Sequence, residues 1–100
     1  MTTHYFHTEI EETSGRVLGL YVGLDCSIRS EAGGMFDIEF DGIADVTLEA
    51  VNGEERDGTD GWTGEEELAT YMPEVFAALI EEAPAEIWDA RYEIELADRS

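Results

Sequence analysis

The feature of this sequence that most constrains its fold is a run of alternating apolar residues between Arg16 and Arg29. Six apolar side chains occupy every second position, with small or polar residues between them: Leu18, Leu20, Val22, Leu24, Cys26 and Ile28. This alternation is typical of a β-strand with one buried and one exposed face. The run therefore predicts a long half-buried strand, bent at one of its glycines.

Two more alternating stretches, over 36–40 and 44–50, are separated by Asp41-Gly42, a pair typical of turns. We expect the two stretches to form a hairpin. Asn52-Gly53 is expected to end the second stretch, because these residues accept positive φ. A less regular strand is predicted over Thr3 to Glu12.

Polar, glycine-bearing segments are predicted to connect these elements, as a turn over 31–34 and an exposed loop over 53–62. A helix is expected next, because Thr63 and Glu66 have the spacing of a capping box. Apolar residues then recur at spacings of three and four: Leu68, Tyr71, Met72, Val75, Phe76, Leu79 and Ile80. Pro73 lies inside this stripe, so we expect a kink or two abutting helices, with Pro73 in the first turn of the second.

Pro84 is expected to end the helical region. Alternation returns over 88–96, which favours a final strand over a helix that starts at Pro84. The predicted fold class is α+β, with an antiparallel four- to five-stranded sheet in the order β-β-β-β-α-β. A Pro-kinked helix or helix pair is expected to pack on one face. Residues 1–100 are expected to form a single globular domain.

The charge of the chain excludes several functions. Its formal net charge is -20, since 25 Asp and Glu oppose five arginines and no lysine. Such a field repels phosphates and anionic headgroups, so we expect no direct nucleic acid binding and no membrane association. Hydrophobic residues make up 43% of the chain, which argues against disorder driven by charge. The single cysteine, Cys26, fits a reducing cytoplasm.

The positions of the acids indicate more than their number. The window from Asp37 to Glu67 holds 12 acids and one base, Arg56, whereas ordinary surfaces intersperse both signs. Like charges on facing strands destabilise a sheet, so folding does not explain the arrangement. The candidate partner-binding residues, here called the acidic set, are Asp37, Glu39, Asp41, Asp45, Glu49, Glu54, Glu55, Asp57 and Asp60.

Three explanations of the acidic set are open. The first is a strongly basic protein partner, to which the carboxylates are electrostatically complementary. The second is salt adaptation of a halophile's domain, with no function at the acidic residues. The third is a divalent cation, but the acids of residues 57–61 are three apart and do not follow the spacing of a calcium loop. No metal site is therefore predicted.

No residue pattern indicates catalysis. His4 and His7 are three apart, which places them on opposite faces of a strand, and Cys26 belongs to the apolar face. The sequence contains no phosphate-binding glycine loop and no serine in a nucleophile elbow. We therefore expect neither an enzyme nor a cofactor.

In length, charge and layout the chain resembles the small acidic nucleic-acid mimics of phages and mobile elements, the anti-CRISPR and anti-restriction class. This resemblance implies a stoichiometric inhibitor of a host defence complex, acting in the cytoplasm of a bacterial host cell as a monomer or homodimer. The implied partner is a basic nucleic-acid-binding protein or complex. An immunity protein against a nuclease toxin is the close alternative.

Overall fold

A computed structural model describes residues 2–30, 32–57 and 60–99. Three long strands come first, followed by two short strands and three helices: β1 (Thr2–Glu11), β2 (Val17–Ser30), β3 (Phe36–Val51), β4 (Glu54–Glu55), β5 (Gly61–Thr63), α1 (Glu65–Tyr71), α2 (Pro73–Asp89) and α3 (Arg91–Arg99). The predicted α+β class with an antiparallel sheet is confirmed. Glu31 of the predicted turn and Gly58 and Thr59 of the predicted loop lie outside the described residues.

The predicted long strand is confirmed as β2, which forms the centre of the sheet. It pairs antiparallel with β1 on one side and with β3 on the other. Its apolar face is buried from Leu18 to Cys26, where Val22, Leu24 and Cys26 have no exposed area, and Ile28 at its end is partly buried. β4 and β5 pair only with the second half of β3, along the edge that β2 does not occupy.

The hairpin predicted at Asp41-Gly42 is wrong, because residues 36–51 form one continuous strand. β2 is 14 residues long and offers pairing partners along the whole of β3. If β3 continues straight past Gly42, more of its backbone groups form hydrogen bonds than if the chain turned back there. Register shifts beside Gly23 and Asp25 mark bulges in which β3 gains residues over β2. These bulges change the phase of the alternation. Phe40 and Ile43 therefore both point toward the helix-covered face although they are three residues apart.

The turn predicted at Asn52-Gly53 is confirmed and joins β3 to β4. Both residues have positive φ, 51° at Asn52 and 82° at Gly53, as a two-residue hairpin turn requires. Asn52 also accepts the backbone N–H of Val17 through Oδ1 at 2.9 Å. The turn is thereby tied to the start of β2.

Pro73 occupies the first turn of α2, and α1 ends at Tyr71, so the predicted pair of abutting helices is confirmed. The capping box of Thr63 and Glu66 is wrong. Gly64 is the N-cap residue and makes no side-chain cap, whereas Glu67 accepts the backbone N–H of Thr63 at 3.1 Å. The helix starts one residue later than expected because Thr63 is the last residue of β5.

The predicted final strand over 88–96 is wrong, and Pro84 lies inside α2 instead of ending the helical region. One buried stripe continues through both helices at spacings of four, four, four, three and four: Val75, Leu79, Ala83, Ile87, Ala90 and Ile94. Trp88, Tyr92 and Leu96 form a second stripe at a spacing of four, and it is exposed. Over 88–96 the members of these two helical stripes alternate at every second position, which gives the same pattern as a β-strand.

The helices cover one face of the sheet and leave the other, here called the open face, in contact with solvent. Leu68, Leu79 and Ile94 pack against the apolar face of β2 and β3 in one cluster. The side chains of Thr3, Tyr5 and His7, on the opposite face of β1, are exposed. None of the helices in the described part of the chain is long and apolar enough to cross a membrane.

Cys26 provides a test of this packing. Burial raises the pKa of its thiol to about 11, with smaller contributions from the charges of Asp41 and Asp25. Only the thiolate reacts with disulfide reagents, so at pH 8 the folded protein is expected to react roughly a hundredfold or more slowly than an ordinary thiol. The measurement is Ellman labelling of the native protein, with the guanidinium-unfolded chain as the control. Equal rates in the two states would contradict the buried position.

Candidate functional site

Five members of the acidic set lie along the single strand β3, where their side chains form what we call the carboxylate row: Asp37, Glu39, Asp41, Asp45 and Glu49. The predicted arrangement on two facing strands is therefore wrong. At about 3.3 Å per residue the row extends over roughly 35–40 Å, along a molecule whose longest dimension is 48 Å. A row in one strand avoids the facing like charges that a hairpin would have imposed.

Hydrogen bonds from open-face side chains orient three carboxylates of the row. Ser27 donates its hydroxyl to Asp41, and Tyr5 donates its hydroxyl to Oδ2 of Asp45 at 3.0 Å. The hydrogen bond to Asp45 raises the pKa of Tyr5, so the phenol stays protonated well above neutral pH. Nδ1 of His7 donates to Oε1 of Glu49 at 2.7 Å. These carboxylates are held in place and still face solvent.

Two arginines pair with members of the acidic set. Nη2 of Arg29 lies 2.6 Å from Oε2 of Glu39, and Nη2 of Arg56 lies 3.3 Å from Oδ2 of Asp60. All four side chains are about half exposed or more, and exposed ion pairs of this kind contribute only about 0–1 kcal/mol. Asp37, Asp41 and Asp45 in the same row keep the surface strongly negative.

The far end of the row opens into a cleft of about 630 Å³. Gly19, Ala50 and Gly53 contribute small residues to its lining, while the charged lining residues are Glu9, Glu49, Glu55, Arg56 and Asp57. The segment after β4 folds back over this end, since Arg56 donates its backbone N–H to the Glu49 carbonyl at 2.7 Å. Three members of the acidic set therefore meet in one concave surface. Glu54 and Asp60 are exposed outside it.

An aromatic cluster beside the row was not predicted as part of the site. The ring of Tyr21 lies 5.3 Å from that of Tyr5 and 4.6 Å from that of His7, between centroids. Tyr5 rests on the backbone of Gly23, where an added Cβ would come within 2.7 Å of the ring. The polar face of β2 was evident in the alternation, but only its pairing with β1 brings these rings together.

Two acids of the open face were also missed, because they belong to β1 and β2. Glu9 lines the cleft, and Asp25 accepts a hydrogen bond from the Thr3 hydroxyl at 2.8 Å. Both lie outside the acid-rich window of residues 37–67. Their signal was the alternation of β1 and β2, which places both residues on the solvent side.

The described residues contain no group of three or more His, Cys, Asp or Glu side chains arranged to hold a metal ion. Comparisons of the chain with protein-family models, with curated proteins and with solved structures find no match. The functional proposal therefore depends on the geometry and charge of the open face.

Proposed function

We propose that this protein is a stoichiometric, non-catalytic inhibitor that binds the basic nucleic-acid-binding surface of a host defence complex. Its carboxylates take the places that phosphates occupy on such a surface. The observation that carries the proposal is the carboxylate row, whose five acids share one exposed face of one strand. Opposite potentials on the two partners would accelerate their association and set its register.

Net charge alone does not select the open face, because the helices also carry exposed acids such as Glu81, Glu93 and Asp98. The open face differs in two ways. Its carboxylates are aligned and oriented by hydrogen bonds, and it carries Tyr5 and Tyr21 in their midst. Tyrosine is a common anchor in protein interfaces, and its ring accepts an arginine guanidinium by cation–π contact.

The test is capture of a partner from bacterial lysate on the immobilised protein, followed by competition with duplex DNA. We expect a basic nucleic-acid-binding protein that duplex DNA displaces and that dissociates as salt rises above about 0.1 M, since added salt screens exposed charges. A captured protein that excess DNA fails to displace would count against the proposal. A nuclease toxin as the captured protein would indicate the immunity function instead.

A folding measurement separates the proposal from salt adaptation. The inhibitor is expected to unfold cooperatively, by circular dichroism, in a buffer of about 0.1 M salt. A chain that gained its fold only in molar salt would be a halophile's domain, whose acids serve hydration and not a partner.

A further inference from the structure

Among the residues that the structure describes, no strand lies beside the first half of the outer edge of β3. Within the described residues, β2 pairs with the whole of Phe36–Val51 from one side, whereas β4 and β5 pair with the other side only at positions 45–51. The backbone N–H of Ile38 donates to Oδ1 of the adjacent Asp37 at 3.0 Å. A strand edge of this kind offers donors and acceptors on which another chain can add a strand.

An apolar groove, here called the edge groove, lies beside this edge on the helix-covered face. Its volume is about 180 Å³. Its apolar lining comes from β3 and one flank of α2, and two charged residues, Asp37 and Arg91, complete it: the apolar residues are Phe36, Ile38, Phe40, Pro84, Ile87 and Trp88. Glu82 and Glu86, on the opposite flank of α2, contact β1 through Thr8 and His4. The Pro84 flank therefore faces the free edge of β3.

The groove is bordered by exposed aromatic residues. Trp88 is 63% exposed and Tyr92 is 66% exposed. The guanidinium of Arg91 stacks 4.0 Å above the Trp88 ring, and the ring of Tyr92 packs edge-on against Phe36. The rings are thus held in position, although most of their surface remains in contact with water. Exposed large apolar side chains gathered at one place typically mark an interaction surface.

We propose that an extended segment of the basic partner adds to this edge as a further strand along 36–41. This inference rests on the proposed function and specifies how that partner is bound. Because side chains alternate along a strand, every second side chain of the segment would enter the edge groove. The others would stand beside Asp37, Glu39 and Asp41 on the open face. The segment is therefore one in which apolar residues alternate with arginine or lysine.

Charge selects this occupant over a second copy of the chain. Pairing two copies along 36–41 would bring Asp37, Glu39 and Asp41 of each copy next to the same acids of the other. Like charges on adjacent strands are destabilising, and each copy already carries a net charge of -20. A segment with basic residues at alternate positions relieves this repulsion.

The test uses a labelled short peptide of alternating arginine and valine as the probe, and a peptide with the same residues in two blocks as its control. We expect the alternating peptide to bind more tightly by fluorescence anisotropy. Amide hydrogen exchange should show new protection at Phe36, Ile38 and Phe40 when it binds. The residues of β1, at the other edge of the sheet, should show none.

Two variants and a matched control locate the contact. Ile38→Pro removes the N–H that Ile38 donates to Asp37, and Trp88→Ala opens the groove. Each is expected to weaken binding about tenfold or more. Tyr71→Ala removes a ring of similar exposure, 68%, on α1 and should leave binding unchanged. Thermal unfolding checks each fold, and Trp88→Ala carries the test if Ile38→Pro is unfolded.

Three results would overturn the inference. Equal binding of both peptides without new protection at 36–40 would show attraction by charge alone, which leaves the proposed function standing. Failure of both peptides to bind at low salt would count against the proposed function as well. A concentration-dependent dimer that Ile38→Pro abolishes would make a second copy the occupant of the edge.

Discussion

Reversing Asp37, Glu39 and Asp41 to lysine is expected to abolish capture of the basic partner while the protein still folds cooperatively. The three substitutions replace three negative charges by three positive ones on the first half of β3, where the partner's cations would lie. Each like-charge contact in an interface costs several kcal/mol, so we expect a loss of at least about a hundredfold in affinity. The measurement is the dissociation constant of the captured partner.

The fold should survive this triple reversal because all three side chains are exposed. Glu39 gives up an exposed ion pair with Arg29, whose contribution to stability is about 0–1 kcal/mol. Self-repulsion falls at the same time, since the net charge becomes less negative. The midpoint temperature of thermal unfolding should therefore change by only a few degrees.

The matched control reverses Glu81, Glu93 and Asp98, three exposed acids on α2 and α3. This variant has the same net charge as the first but keeps the carboxylate row. It should retain most of the wild-type affinity for the captured partner. Equal losses in the two variants would show that the partner responds to net charge and not to the row.

Leu24→Ala is expected to have the largest effect on stability, a loss of about 3–4 kcal/mol in the free energy of unfolding. Leu24 has no exposed area and lies in the middle strand of the sheet, paired with His4 of β1 and Ile43 of β3. The substitution would leave a cavity between the helices and the sheet. The side chains around it are fixed to three paired strands, so they cannot move in to fill it. The free energy of unfolding of a domain this size is about 5–15 kcal/mol in total, so the substitution would remove much of it.

Urea denaturation measures this loss, with Leu96→Ala as the control. Leu96 is 63% exposed on α3, so its truncation should change the free energy of unfolding by no more than about 0.5 kcal/mol. A cost below about 1 kcal/mol for Leu24→Ala would contradict its place in the core.

The strands were more predictable than the C-terminal helices, and α3 shows why. Over 88–96 the apolar residues alternate, but Ala90 and Ile94 lie on a buried helical stripe while Trp88 and Tyr92 lie on an exposed one. Over nine residues, apolar residues at every second position can form either one face of a strand or two separate stripes of a helix, so the sequence pattern cannot distinguish them. The helix prevails because its buried stripe continues that of α2.

β3 shows a second limit of the sequence. Asp41-Gly42 is a credible turn by its residues, and Gly42 does have positive φ, 149°. Gly42 nevertheless lies within the strand. The next residue, Ile43, donates its backbone N–H to Oε1 of Glu65 on α1, at 2.9 Å. The pairing with β2 and this contact from a distant helix decide the path of the chain.

The sequence by itself determined the α+β class, the long half-buried strand β2 through its alternation, and the acidity of the surface of 36–51. Those properties follow from local periodicity and composition. The tertiary structure decided that the five acids form one row and that Tyr5, His7 and Glu9 from β1 border it. It also decided that the edge groove adjoins a part of β3 that no other described strand pairs on its outer side. Strand pairing, bulges and helix packing join residues distant along the chain, and local periodicity does not specify such contacts.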